Sequence, residues 1–474
     1  MLTGQDIIAL GLRPGKYFKE ILTHANAHGL EGEALAAYVA PFRSPAPLPL
    51  RPVPLPFQEN IRASSAVEAH NVEQVRASMR ELMRVPTVVA GAVMPDACPA
   101  GPLGTIPVGG VVAARNAIHP GMHSADICCS VMLTNLGRQD PRAVLDAAQA
   151  ITHFGPGGRA PERQFALPES LRAELAANSY LNSMRGLQLA QEHLGTQGDG
   201  NHFLYVGTQA STGDTVLVTH HGSRGVGALL YKAGMHVAER FRQELSPATA
   251  PANAWIPADT PEGAQYWAAL QLVRRWTKLN HEVLHDALAA RLGVAAPQER
   301  FWNEHNFVFR DGDTYYHAKG ATPLAAHFLP DAPDARRIIP LNMAQPILIV
   351  EGDVTAGNLG FAPHGAGRNL SRTQHKRQLG SVTDEAQYAL ETQGIDARFF
   401  FNRIDTSELP SAYKNAAEVR QQIAEFNLAR VVDEIHPYGC LMAGDWEHDA
   451  PWKAKRRAKL AAREPGGEEQ FATT

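Results

Sequence analysis

Six of the fifteen residues from 43 to 57 are proline, and no other feature of this chain restricts its folding so sharply. Each proline fixes φ and removes a backbone donor, so the stretch can enter neither a helix interior nor the middle of a sheet. It is expected to run extended as a semi-rigid linker, separating a helical element at 1–42 from a larger unit that begins at 58. In the shorter piece, Thr3 and Asp6 stand where a helix starts. The turn Gly11-Leu12-Arg13-Pro14-Gly15 then precedes a second helix carrying Tyr17, Phe18, Ile21 and Leu22.

Beyond the linker, apolar runs at 87–93, 215–219 and 347–350 predict strands, and amphipathic stretches at 168–194, 262–292 and 414–434 predict helices. They do not alternate regularly, which argues for a mixed α/β domain over 58–444 rather than a Rossmann-like unit. A chain of 474 residues, 44% of them hydrophobic, has enough apolar material for a substantial core. The tail at 445–474, with Lys453, Lys455, Arg456, Arg457, Lys459 and Arg463, reads as a basic extension in an exposed helix. A net charge of −4 gives no global attraction to nucleic acid, so any such surface must come from local clustering of Arg and Lys. No apolar signal segment follows Met1 and no apolar run approaches bilayer length. A soluble, cytoplasmic protein with no membrane partner is expected.

The four cysteines (Cys98, Cys128, Cys129 and Cys440) form neither a CxxC pair nor a disulfide framework, so a functional cysteine here is expected to be a thiolate ligand. The histidines say more. Asp126 and Cys129 lie three residues apart; His202 sits in GDGNHF (198–203), His220 in HHGSRG (220–225), and His305 precedes Asn306. Together these supply oxygen, sulfur and nitrogen donors sufficient for two adjacent divalent ions sharing one sulfur. The segment HGAGR (364–368) joins a potential nucleophile to two glycines and an arginine, a composition suited to cradling phosphate.

A competing motif is His281-Glu282-Val283-Leu284-His285, which spells the HExxH pattern of zinc metallopeptidases. Helical phase sets both histidines well away from the apolar face, toward solvent, with Asn280 near that face. No third ligand motif follows, and the peptidase reading is not adopted.

The motifs Gly200-Asn201-His202-Phe203, His220-x-Gly222-Ser223-Arg224-Gly225, His305-Asn306, Lys319-Gly320-Ala321-Thr322 and His364-Gly365-Ala366-Gly367-Arg368 occur in that order. Met94-Pro95-Asp96, Pro107-Val108-Gly109-Gly110 and Asp126-Ile127-Cys128-Cys129 precede them. In these segments, and over most of 85–444, the chain resembles the RtcB family of RNA ligases.

The resemblance implies an RtcB-like catalytic domain with its metal site in a loop-lined cleft. One ion would be held by Asp126, Cys129 and His202, and a second by Cys129, His220 and His305. It implies manganese, although thiolate and imidazole donors also suit zinc. Cys128 stands where the family has a polar non-ligand, which leaves a swap of sulfur donors open. His364 would carry the nucleotide of GTP as a covalent adduct, with Asn201, Asn306, Gly365, Ala366, Gly367 and Arg368 around the nucleotide. Arg224, Lys319, Arg368 and Arg372 would bind phosphate and RNA, with His317 assisting.

The implied reaction joins RNA 2′,3′-cyclic phosphate or 3′-phosphate ends, from tRNA or other cleaved RNA, to 5′-hydroxyl ends. Two alternatives remain: a metal-dependent phosphodiesterase acting on RNA ends without nucleotide, and a noncatalytic RNA-end binding protein.

Departures from the family cluster at the positions that contact guanine. Tyr205 replaces a glutamate, Gly357 falls where a serine is usual, and Ala443-Gly444 replaces a terminal Lys-Gly. Each unreplaced hydrogen bond costs about 1–3 kcal/mol, so the base of the nucleotide is left open. Cys98 replaces a family histidine and is expected as a small core residue.

Overall fold

The structure is a computed structural model that describes residues 2–447 apart from 13, 43–45 and 333. The basic run from Lys453 to Arg463 lies outside the described residues. Two twisted sheets meet along a seam, and the seam holds the chemistry.

The larger sheet has eight strands. Its order runs Arg337–Ile339, Ile347–Glu351, Arg430–Met442, Phe203–Gln209, Thr215–His221, Ser130–Asn135 and Glu299–Glu304, with Asp396–Phe399 pairing in parallel onto Arg430–Met442. The central strands Thr215–His221 and Ser130–Asn135 are buried on both faces. Their inward residues, such as Leu217 and Val218, each gain roughly 1.5–3 kcal/mol from burial. The smaller sheet has the order Gln58–Glu59, Val88–Cys98, Val108–Arg115, Thr314–Lys319, Asn306–Asp311. Glu299–Glu304 passes through His305 straight into Asn306–Asp311, so His305 stands where the chain crosses from one sheet to the other.

One face of the large sheet is covered by the helices Pro141–Ile151 and Pro261–Arg291. The longer helix is capped by Thr260, whose side chain accepts from Gly263 N, and has Pro261 in its first turn. It buries more than one apolar stripe. Trp276 packs fully buried and donates from Nε1 to Ala190 O at 2.9 Å.

His281 and His285 are also fully buried, against the expectation that they face solvent. The hydroxyls of Ser130, Thr134 and Thr219, on the covering face of the sheet, take both ring nitrogens of each imidazole. A helix facing a polar patch of sheet buries polar residues there, which an apolar-phase argument cannot see. The HExxH histidines are thus spent on a helix–sheet contact. Asn280 is buried as expected, accepting from Gly195 N and Thr196 N.

Two other helical expectations change. The stretch 168–194 breaks into Glu169–Ala177 and Met184–Glu192, because Asn178 turns to donate to Gln265 O and Ser183 caps a new start. The stretch 414–434 is helical only over Ala416–Glu425; left-handed Asn427 ends it and the chain continues as the strand Arg430–Met442. The strands expected from the three apolar runs are present as Val88–Cys98, Thr215–His221 and Ile347–Glu351.

Near the N-terminus, Gly4–Ala9 and Tyr17–His28 are joined by a third helix, Gly32–Val39. Ile7, Leu12, Ile21, Ala25, Leu35 and Val39 close a separate small core. The proline-rich segment is laid along the body of the protein: Leu48 N donates to Leu245 O at 2.7 Å and Arg51 N to Arg84 O at 2.9 Å.

Candidate active site

At the start of the strand Ser130–Asn135 the chain makes a tight turn. Cys129 N donates to Asp126 O at 3.3 Å, and Cys128 takes a left-handed backbone, φ 58°. That conformation is unfavourable for a residue with a β-carbon. Cys128 N reaches Asn306 O at 2.6 Å and His305 N reaches Cys129 O at 2.9 Å, so both sides of the seam hold the turn in place. The two sulfurs are thereby separated: Cys128 joins the apolar core while Cys129 opens onto the seam.

Around Cys129 Sγ, His202 Nε2 lies at 3.4 Å and His220 Nε2 at 3.1 Å. His202 Nε2 is 3.1 Å from Asp126 Oδ2, and His220 Nε2 is 3.1 Å from His305 Nε2. The donors fall into two triads, Asp126–Cys129–His202 and Cys129–His220–His305, each with its atoms within 4.8 Å of one another. Period-two alternation places His220 here: with Val216 and Val218 it faces one side of the sheet, while His221 faces the long helix and stacks on His281 at 3.5 Å. Gly222 is also required, since a β-carbon there would stand 2.0 Å from Asp126 Oδ1.

The residues fit divalent cations. His220 Nδ1 donates to Asn201 O at 3.0 Å, which leaves the Nε2 lone pair directed at Cys129 and His305. Burial pushes His220 down to about 3 and His305 well below the usual histidine value, so both rings are neutral and able to ligate. Burial and the neighbouring Asp126 drive the Cys129 thiol well above its ordinary value. A bound cation would reverse that shift and hold the thiolate. For Asp126, burial opposes ionisation, but His202 and its hydrogen bond outweigh it and keep the carboxyl below its usual value.

His364 stands next to this cluster, its ring centroid 4.8 Å from that of His305. Its Nδ1 and its backbone N both meet Asp96 Oδ2, at 2.6 and 3.2 Å. Asp96 is fully buried in the strand Val88–Cys98, and Lys414 Nζ donates to the carbonyls on either side of it, Pro95 at 3.0 Å and Ala97 at 2.8 Å. With Nδ1–H tied to a carboxylate, the opposite ring nitrogen keeps its lone pair. Neither Asp96 as an orienting partner nor Lys414 emerges from the motifs alone, since the pairing joins positions 268 residues apart.

Asp126, Cys129, His220, His305 and His364 line one cleft of about 840 Å³, within the roughly 300–1,000 Å³ range of small-molecule sites. Asn201, Asn306, Gly365, Ala366, Gly367, Arg368, Lys319 and Arg372 line it as well. Arg368 and Arg372 share the buried carboxylate of Glu408, at 2.6 and 2.7 Å, and Arg368 also lies over the Tyr413 ring at 4.4 Å. Two guanidinium groups against one carboxylate leave an excess positive charge at the cleft. Burial holds the Lys319 ammonium below its ordinary value, which a phosphate alongside would relieve.

Two expected contacts fall elsewhere. Arg224 is outside the cleft lining and donates to Gly155 O at 2.6 Å and Thr196 Oγ1 at 3.1 Å. His317 is fully buried within the strand Thr314–Lys319 and outside the cleft lining, accepting from His119 N at 2.8 Å. Cys98 moves the other way: it is partly exposed and lines the cleft instead of filling the core, because it is the last residue of a strand that ends at the seam.

A family model described as "tRNA-splicing ligase RtcB" matches residues 148–443, more than half of the chain. The chain belongs to the RtcB family. The matched span contains His202, His220, His305 and His364, and the fold brings Asp96, Asp126 and Cys129 to them from outside it. Among curated RtcB proteins, the tRNA-splicing ligase of Aeropyrum pernix is 26% identical over 416 residues, covering 70% of this chain and 84% of its own length. The RNA-splicing ligase of Mycobacterium tuberculosis is 28% identical over 406 residues, covering 71% and 93%. That of Escherichia coli is 28% identical over 368 residues, covering 70% and 86%. Among the described residues, no helix is long and apolar enough to cross a membrane.

Proposed function

We propose that this protein is an RNA ligase that joins 2′,3′-cyclic phosphate or 3′-phosphate ends to 5′-hydroxyl ends through a nucleotide carried on His364. The observation that carries the reading is a histidine fixed through Nδ1 by a buried carboxylate, with its ring 4.8 Å from a five-donor cluster. A nucleophile oriented from behind, beside a site for divalent charge, is the arrangement phosphoryl transfer requires.

Asp126, Cys129 and His202 would hold one ion, and Cys129, His220 and His305 the other, with manganese the occupant the family resemblance favours. Such ions supply charge neutralisation at phosphate oxygens. The rest follows from the chain itself. Asp96 keeps the His364 proton on Nδ1, so Nε2 attacks the α-phosphorus of a nucleoside triphosphate; a P–N bond forms and pyrophosphate leaves. Arg368, Arg372 and Lys319 draw phosphate oxygens into the cleft. Where the end is a 2′,3′-cyclic phosphate, water adds to phosphorus and the 2′-oxygen leaves as a hydroxyl, which gives the 3′-phosphate; a 3′-phosphate oxygen then displaces His364 from phosphorus, which gives an activated end. The RNA 5′-hydroxyl attacks that end and the nucleoside monophosphate departs. Members of the family activate with GTP, and GTP serves here within the limits set by the altered base pocket.

The test is incubation with Mn²⁺ and each α-labelled nucleoside triphosphate, followed by denaturing electrophoresis. An acid-labile labelled band that disappears in His364→Ala supports ligation. Hydrolysis of a cyclic phosphate with no band would instead indicate the phosphodiesterase, and binding of RNA ends with neither activity would indicate the noncatalytic protein.

A further inference from the structure

The cleft extends past the cluster into an arm with an apolar lining. On the face of the large sheet that bears His220, Phe203 pairs with His220 on one side and Met442 on the other, and Tyr205 pairs with Cys440. The Phe203 ring is 5.2 Å from the His220 ring and 6.5 Å from the Tyr205 ring. Leu341, Met343 and Ile347 line the same cleft.

Carboxylates that would select guanine are missing from this arm or already engaged. The Tyr205 hydroxyl donates to Ile435 O at 2.9 Å. Asn342 Oδ1 accepts from Ala344 N at 3.0 Å, which leaves its amide one oxygen lone pair beside its N–H donors. Every nucleobase carries a donor beside an acceptor on its pairing edge, so a single amide meets any of them and does not discriminate. Strong selection of guanine takes a group that accepts from N1–H and N2–H together, as the two oxygens of a carboxylate do. The two carboxylates among the described lining residues are Asp126, which belongs to the cluster, and Glu408, which is held by Arg368, Arg372 and Tyr413.

We propose that this arm holds the base of the activating nucleotide by apolar burial and ring contact, with no carboxylate to select guanine, so that His364 accepts the nucleotidyl group from ATP, GTP, CTP and UTP with little preference. The inference rests on the nucleotide-transfer reading above and specifies its substrate class. Stacking and burial tolerate any base, because every base has an apolar face.

The experiment measures kcat/KM for labelling of His364 by each of the four α-labelled triphosphates with Mn²⁺, in the full-length protein and in Met343→Ala. The expected result is four values within about tenfold of one another, and a KM raised by a similar factor for all four in the variant. A preference above about a hundredfold for one base overturns the inference while leaving nucleotide transfer intact. So does a variant that labels normally but binds RNA ends more weakly, which would assign the arm to the RNA. Absence of labelling by every nucleotide overturns both the inference and the reading it rests on.

Discussion

His220 and His221 are neighbours in the chain and serve opposite faces of the same sheet. His220 aims Nε2 at Cys129 from 3.1 Å, and His221 stacks on His281 at 3.5 Å beneath the long helix. The strand therefore contributes one histidine to the cluster and one to the helix–sheet contact. Each face yields a different kind of prediction.

On the cluster side, Cys129 and Cys128 separate cleanly. Thermal midpoints measured with and without Mn²⁺ should rise with the ion in the wild type and in Cys128→Ser, since a ligand that binds only the folded state stabilises it. Cys129→Ser should lose most of that increase. An equal loss in Cys128→Ser would mean that the sulfur donors are exchanged.

Beneath the sheet, His285→Ala should destabilise without affecting the metal. The Thr134 and Thr219 hydroxyls, each 2.7 Å from His285, would be left buried without that partner. Unsatisfied groups of this kind cost about 1–3 kcal/mol each. Urea denaturation should show a loss of about 2–4 kcal/mol, with Mn²⁺ stoichiometry unchanged. A loss of metal from the purified variant would revive the HExxH reading.

Asp96→Ala removes the acceptor that holds His364 Nδ1. Positioned proton partners typically contribute 10²–10⁴-fold. Histidine labelling should fall by roughly a hundredfold while the Mn²⁺-dependent rise in thermal midpoint persists. Labelling at the wild-type rate would show that Asp96 does not orient the nucleophile.

Acidification should weaken the fold before it reaches the carboxylates. Burial drives His119 and His123 down to about 4, from 6.5 in the unfolded chain. Above pH 6.5 both are neutral in either state and contribute no pH dependence. As pH falls from 6.5 toward 4 the unfolded chain takes up protons that the folded one refuses, so stability declines across that window. Urea midpoints at a series of pH values should show the decline, and His119→Gln should make it shallower. A flat profile between pH 6.5 and 4 would contradict burial of these rings as neutral groups.

The sequence by itself determined the parts of the site that are local. Glycine-flanked histidines, the Asp126–Cys129 spacing and the HGAGR segment mark candidate donors and a candidate nucleophile, because a small turn of fixed composition can be recognised in a few residues. The three apolar runs likewise specify strands, since a doubly buried strand must be apolar throughout. Tertiary structure alone decided what depends on a partner distant in the chain. It paired His364 with Asp96, turned Cys128 into the core, buried His281 and His285 against sheet hydroxyls, and took Arg224 out of the cleft. It also made a strand of Arg430–Met442, where helical periodicity had suggested continuation. In each case the outcome depends on which group lies across the interface, and hydrogen-bonding capacity and burial at a contact between distant segments leave no periodic trace in the sequence.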